Sequence, residues 1–273
     1  MKLRLFFFTA LLCGGAYLLS LFVSLQSFAS IYGAKIIEQP DQQYQLTVFL
    51  ALFFTVTLFF LLLLRLHRGE TLYRALFSLT LFFGLLNVFS IVFPLSFSAL
   101  VAGIFLLGFF LIPTVWMHDL IVLMAAGGIA PLFGMRFTVA SALLLLIILS
   151  VYDCIAVFIT KHMLTLAHRM IASRASFAFF VPEKFHDFSL PLSAVRPGSG
   201  FLILGGGDII LPTILLVAVG RSDMPSALAG IVGLIVGLFA NHLLLTVYHR
   251  PIPALPLLTL GAIAGISLGK LFL

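Results

Sequence analysis

Long apolar runs, separated by short polar punctuation, fill this chain from end to end. They cover residues 5–25, 45–64, 74–93, 97–114, 119–134, 137–160, 201–220, 225–247 and 252–272. A helix of about 20 apolar residues, rising about 1.5 Å each, crosses the hydrocarbon core of a bilayer. The pattern therefore predicts an all-α, polytopic membrane bundle of about nine transmembrane helices. Only "PLS" separates the third run from the fourth. One long polar connection follows the second run, at 161–200. It divides the chain into a six-span part (1–160), a loop (161–200) and a three-span part (201–273). No clear internal repeat is visible.

Composition agrees. The chain is 62% hydrophobic and only 9% charged, against about 45–50% and 25% in a soluble domain. Cys13 and Cys154 both fall inside apolar runs, so neither reads as part of a disulfide framework. The N-terminus imitates a secretory leader, with Lys2 and Arg4 before an apolar run. That run continues to about residue 25 with no small-x-small site directly after it, so it reads as a retained first span. The net charge of +6 does not indicate nucleic-acid binding, because the basic residues are scattered through short loops rather than gathered on one face. They work better as a topology signal. Lys2, Arg4, Arg65, Arg68, Arg74, Lys161, Arg169, Arg174, Lys184, Arg196 and Arg250 fall on the side of the N-terminus. Lys35, Arg136, Arg221 and Lys270 fall on the other. This asymmetry predicts a cell-membrane protein with its N-terminus and the 161–200 loop in the cytoplasm and its C-terminus outside.

Most acidic residues lie in loops. Asp119, after His118, reads as interfacial at the start of the fifth run. Asp153 and Asp208 sit within apolar spans, where a charged side chain costs at least about 2.5–3.5 kcal/mol. Asp153 lies eight residues before Lys161, and Asp208 eight residues after Gly200. On helices each would be about 12 Å below the same membrane face. Consecutive antiparallel spans are usually neighbours, so the two carboxyls can meet. A close pair holds one proton between its two members. The ionised partner can activate water while the protonated partner polarises a peptide carbonyl, and the roles then reverse. That is aspartyl peptide hydrolysis. The competing role for either acid is a polar contact that fixes helix packing.

Two further features surround this pair. Gly205, Gly206 and Gly207 run directly into Asp208. Three helical glycines cost about 1 kcal/mol each relative to alanine, and they suit a helix-packing seam, local unwinding, or close approach of another backbone. In "PIPALP" (251–256), three prolines within six residues remove backbone donors at the start of the last span.

Tyr152-Asp153, Gly205-x-Gly207-Asp208 and Pro253-Ala254-Leu255, in that order on the sixth, seventh and ninth spans, resemble the motifs of the presenilin and signal peptide peptidase family of intramembrane aspartyl proteases. The motifs cover mainly residues 145–260, and the nine-span plan extends the resemblance over the chain. It implies that Asp153 and Asp208 are the catalytic pair and that Tyr152 flanks the site. It implies that Gly205 and Gly207, with Gly206 between them, keep the backbone open. Pro253, Ala254 and Leu255 would form a turn shaping the substrate groove. Substrates would be transmembrane helices of other proteins, cut without metal or cofactor. The charge asymmetry matches the presenilin-like orientation rather than the inverted signal peptide peptidases. The modest length, without the large hydrophilic loop of animal presenilins, resembles a compact microbial, archaeal-type homologue. A homo-oligomer is left open.

A substrate helix must unwind before water can reach its carbonyls. The segments "ASFAFFV" (175–181) and "FSLPLSAV" (188–195) have strand-like composition, so part of the loop is expected to pair with unwound substrate. A mobile connector is the plainer alternative. Among rival enzymes, a metalloprotease lacks its H-E-x-x-H spacing here. A rhomboid-like serine protease would need G-x-S-G in a helix, whereas "PGSG" lies at the membrane edge. A prepilin-type peptidase usually carries a basic residue soon after the aspartate, and here Ile209 and Ile210 follow. His242 reads as a packed or interfacial residue. The alternative from another class is a proton- or cation-coupled transporter, which also pairs carboxylates beside broken helices; it predicts repeat symmetry and ion flux without cleavage.

Overall fold

The structure is a computed structural model. It describes residues 2–33, a few positions between 47 and 55, and residues 70–160, 176–195, 200–248 and 252–272. The predicted second span lies largely outside the described residues. Eight helices are described: α1 (Lys2–Gly33), α2 (Glu70–Phe89), α3 (Leu95–Leu111), α4 (Val115–Gly134), α5 (Val139–Ile155), α6 (Gly207–Gly220), α7 (Met224–Tyr248) and α8 (Leu255–Phe272). Five segments are long and apolar enough to cross a membrane: those of α1, α4, α5, α7 and α8. α5 continues through a π-helical turn, Ala156–Thr160.

The bundle has an apolar core, as a soluble protein does, but its outer surface is apolar as well. Large apolar side chains such as Leu11, Phe22, Val232 and Leu260 face outward, while Ser98, His118, Asp119, Asp153, Asn241 and Thr259 are buried. In lipid, only protein or enclosed water can satisfy polar groups. α4 lies at the centre, against α1, α2 and α6, and is the most buried of the five long segments. Where α2 crosses α4, a side chain on Gly84 or Gly128 would strike the opposing backbone. Asn87 Nδ2 donates to the Gly128 carbonyl at 2.7 Å in the same crossing. On the other side α7 and α8 pack through Gly233 and Gly237 against Gly261 and Gly265, where an added Cβ would meet the partner's backbone.

The seventh predicted span is not one helix. Its first residues form a strand, β2 (Phe201–Gly205), antiparallel to β1 (Ala178–Pro182), with Ala178 opposite Gly205 and Phe180 opposite Ile203. α6 that follows has 14 residues, about 21 Å of rise, too short to span alone. Gly200 takes φ +81°, the left-handed region that glycine enters without a Cβ penalty. Its carbonyl accepts from Glu183 N–H at 2.9 Å, so it turns the chain into β2. β1 overlaps the expected strand at 175–181. The expected strand at 188–195 is instead two 3₁₀ turns, Phe185–Ser189 and Leu192–Ala194. They dock on the junction of α3 and α4 through Val115 N–H to Leu190 O (3.0 Å) and Leu192 N–H to Pro113 O (2.8 Å). Pro191 interrupts the apolar pattern there and cannot donate to a ladder.

Candidate functional site

Asp153 lies near the end of α5, buried at 8% exposure. α5 packs between α6 and α8. Its Oδ2 accepts a long hydrogen bond, 3.3 Å, from the Leu255 N–H. The sequence of α8 explains why that N–H is available. The first amides of any helix lack an intrahelical acceptor. Pro253 and Pro256 have no N–H at all. Ala254 supplies the carbonyl for the first helical bond, from Leu258 N–H at 3.1 Å, which leaves Leu255 N–H at the positive end of the helix pointing to the carboxylate. Asp153 thus caps a helix other than its own. Pro253, Ala254 and Leu255 are all buried, as a turn packed beside the site requires.

A second link ties the same two helices one turn further in. Ser150 Oγ lies 2.7 Å from Thr259 Oγ1. With Thr259 donating to the Leu255 carbonyl at 2.7 Å, the Ser150 proton makes the bond to Thr259, and the Leu146 carbonyl, also 2.7 Å from Ser150 Oγ, is its competing acceptor. Leu255 is therefore gripped on its N–H by Asp153 and on its carbonyl by Thr259. Tyr152 is 39% exposed, one step round α5 from the buried acid.

Asp208 is the second residue of α6 and half-buried. It is close enough to Asp153 for their charges to interact. Pro212 sits inside α6 and has no N–H to give to the Asp208 carbonyl one turn earlier, so the opening turn is loosely bonded. The glycines before it have different surroundings. A Cβ at Gly205 would stand 3.2 Å from Asp208 Oδ2. One at Gly206 would collide with the Phe177 ring, because Gly206 N–H donates to the Phe177 carbonyl at 2.8 Å and draws the two backbones together. One at Gly207 would enter open space. The middle glycine, which the motif leaves unspecified, is the one that sterics demand.

β2 leads directly into Asp208. The bonds Phe177–Gly206 and Glu183–Gly200 flank the ladder, so by antiparallel alternation Leu202 and Leu204 turn their backbone groups toward β1. Phe201, Ile203 and Gly205 turn theirs outward. Among the described residues the sheet has two strands, and that outer edge of β2 carries no third. A free strand edge is not tolerated against lipid; it must line water or pair with another peptide.

Asp119 departs from expectation. It is 1% exposed, enclosed by protein rather than open to solvent, and its Oδ1 accepts from Phe180 N–H at 2.9 Å. His118 beside it is equally buried. Sequence reading had no signal for this except two adjacent polar residues entering an apolar run. Among the described residues, no group of three or more His, Cys, Asp or Glu side chains could hold a metal ion.

The chain was compared with known proteins. The family described as "Signal-peptide peptidase, presenilin aspartyl protease" matches residues 15–273. Two solved structures of a presenilin family intramembrane aspartate protease share the fold. The one in the C222 crystal form has a TM-score of 0.66 at 23% identity, covering 97% of this chain and 96% of that one. The one in the P2 form has a TM-score of 0.64 at 26% identity, covering 95% and 97%. No curated protein sequence matches. With a family match over nearly its whole length, the chain belongs to the presenilin and signal peptide peptidase family of intramembrane aspartyl proteases.

Proposed function

We propose that Asp153 and Asp208 are the catalytic pair of this multi-pass aspartyl endopeptidase, and that an unwound transmembrane substrate pairs with the outer edge of β2. The observation that carries this reading is a pair of intramembrane carboxyls on two packed helices, α5 and α6, within electrostatic reach of each other, one beside the Leu255 amide and the other beside Gly205 at the end of β2. One proton shared by such a pair lets the ionised member take a proton from water as its oxygen attacks the scissile carbonyl. The protonated member donates to the carbonyl oxygen, and the leaving nitrogen is then protonated in turn. Leu255 N–H keeps one Asp153 oxygen oriented. Pairing with Phe201, Ile203 and Gly205 would replace the substrate's lost helical hydrogen bonds and lead its backbone to Asp208. Gly205 and Gly207 leave that approach free of side chains. Pro253 and Ala254 wall the groove. The N-terminus and the 161–200 loop face the cytoplasm and the C-terminus faces outside, as the basic residues indicate.

The transporter alternative has no support from the family or the related structures. The test is a single-span reporter in liposomes, with cleavage and proton flux read together. Cleavage by the parent protein that is absent from Asp153→Ala and Asp208→Ala, both folded, is expected. Cleavage persisting in either variant would remove that residue from the pair.

A further inference from the structure

Ala178 and Phe180 turn their backbone groups away from β2, so their outer edge is where another strand would add. Both positions are already occupied by side chains from the first two turns of α4. His118 Nε2 lies 2.9 Å from the Ala178 carbonyl, which can only accept, so the ring donates there. Asp119 Oδ1 accepts from Phe180 N–H at 2.9 Å. The His118 ring is also stacked on Phe180, with centroids 4.7 Å apart, and tilted against Phe109 at 5.6 Å. Two consecutive residues thus reproduce one donor and one acceptor of a neighbouring strand.

The remaining polar atoms of the two residues, His118 Nδ1 and Asp119 Oδ2, have no hydrogen-bond partner among the described residues. This pair commits one buried atom each to the strand edge, as an edge cap requires. Around it, Val115, Ala178, Phe180, Leu192 and Val195 form a small apolar cluster separate from the main core, so the cap is shielded from water.

We propose that His118 and Asp119 are positioning residues for proteolysis: by occupying the outer edge of β1 they pin the β1–β2 hairpin to α4, leave only the β2 edge for an extended substrate, and so set which peptide bond reaches Asp208. This rests on the reading that Asp208 is catalytic and that substrate pairs with β2. One residue of strand is about 3.3 Å, so a hairpin that slips or tilts by that distance presents a neighbouring bond to the same carboxyl. The residues act through the hairpin and do not touch the reacting atoms.

The test compares the parent, Asp119→Ala, Asp119→Asn, His118→Ala and His118→Gln on one single-span reporter in liposomes, reading kcat, KM and product masses. Asn retains the acceptor for Phe180 N–H, and Gln retains a donor for the Ala178 carbonyl. The alanine variants are expected to cut at additional neighbouring bonds, with kcat lowered by up to about a hundredfold. The Asn and Gln variants are expected to restore the parent's product set. Alanine variants that cut at the parent's bonds alone would overturn the proposal, as would Asn and Gln variants that restore nothing. If the alanine variants do not fold, Asp119→Glu decides instead, since it displaces the acceptor by one methylene: altered products are expected, and an unchanged set overturns the clamp. Failure of the parent itself to cleave would overturn the catalytic reading rather than the clamp alone.

Discussion

Three consecutive glycines precede Asp208, and they are not interchangeable. A methyl group on Gly206 would overlap Phe177, while one on Gly207 would meet nothing. Gly206→Ala is expected to cost about 1–3 kcal/mol, read as a lowered Tm in detergent, and Gly207→Ala to stay within about 1 kcal/mol of the parent. Equal Tm values would contradict the Gly206–Phe177 packing. Asp223, in the turn before α7, offers a pH test outside the membrane-spanning segments. The Ser226 hydroxyl beside it and the Ser226 N–H at 3.1 Å, with Lys270 nearby, hold its carboxyl below the ordinary carboxylate range. A depressed folded-state value means its charge stabilises the fold above the unfolded value, near pH 4, and the contribution is lost as pH falls through the lower folded value. The Tm difference between parent and Asp223→Asn should therefore be present at pH 7 and shrink in acid. At this scale Asp153 and Asp208 were legible because an acid stands out in an apolar run. Asp119 was not, because at the end of a run a buried acid and an interfacial one look the same in sequence.

Among the elements, β2 was the hardest to foresee. "FLILG" is apolar without alternation, and a short run of that kind does not distinguish a buried strand from the start of a helix. Its partner was partly visible because "AFF" and Val181 are rich in residues that favour strands. The expected depth of Asp208 assumed a helix from Gly200, whereas β2 occupies Phe201–Gly205 and the helix that carries Asp208 opens at Gly207, still packed against α5. The link between α5 and α8 was also hidden. Ser150 stands one turn before Asp153 and Thr259 one turn after Leu255, but only the packing of the two helices brings them to 2.7 Å. Thr259→Val removes that contact and the bond to the Leu255 carbonyl. It should cost about 0.6–1.5 kcal/mol and lower kcat more than it raises KM, since Leu255 orients Asp153. A change confined to KM would place Thr259 in substrate binding instead.

The whole molecule depends on close approach between helices, which hydropathy alone does not report. Gly261, Gly265 and Gly269 recur every four residues on α8, facing the small residues Gly237, Gly233, Ala229 and Ser226 of α7, and that spacing was the available signal. Because α8 begins at Leu255, this seam also sets where the Leu255 amide meets Asp153. Gly261→Val should lose stability and cleavage together, as read by Tm and reporter turnover; a variant with the parent's Tm would show that the helices need not be so close. For topology, Lys2→Cys and Ser173→Cys should label from one face of the membrane and Leu273→Cys from the other. The most direct test of the central claim, that Asp153 and Asp208 act as one unit, is the cleavage rate of Asp153→Asn, Asp208→Asn and the double variant on one reporter. Each single variant should lose about a thousandfold or more, and the double variant should be no slower than either, as for groups that share one catalytic task. Independent, multiplying losses, or substantial cleavage by either single variant, would contradict it.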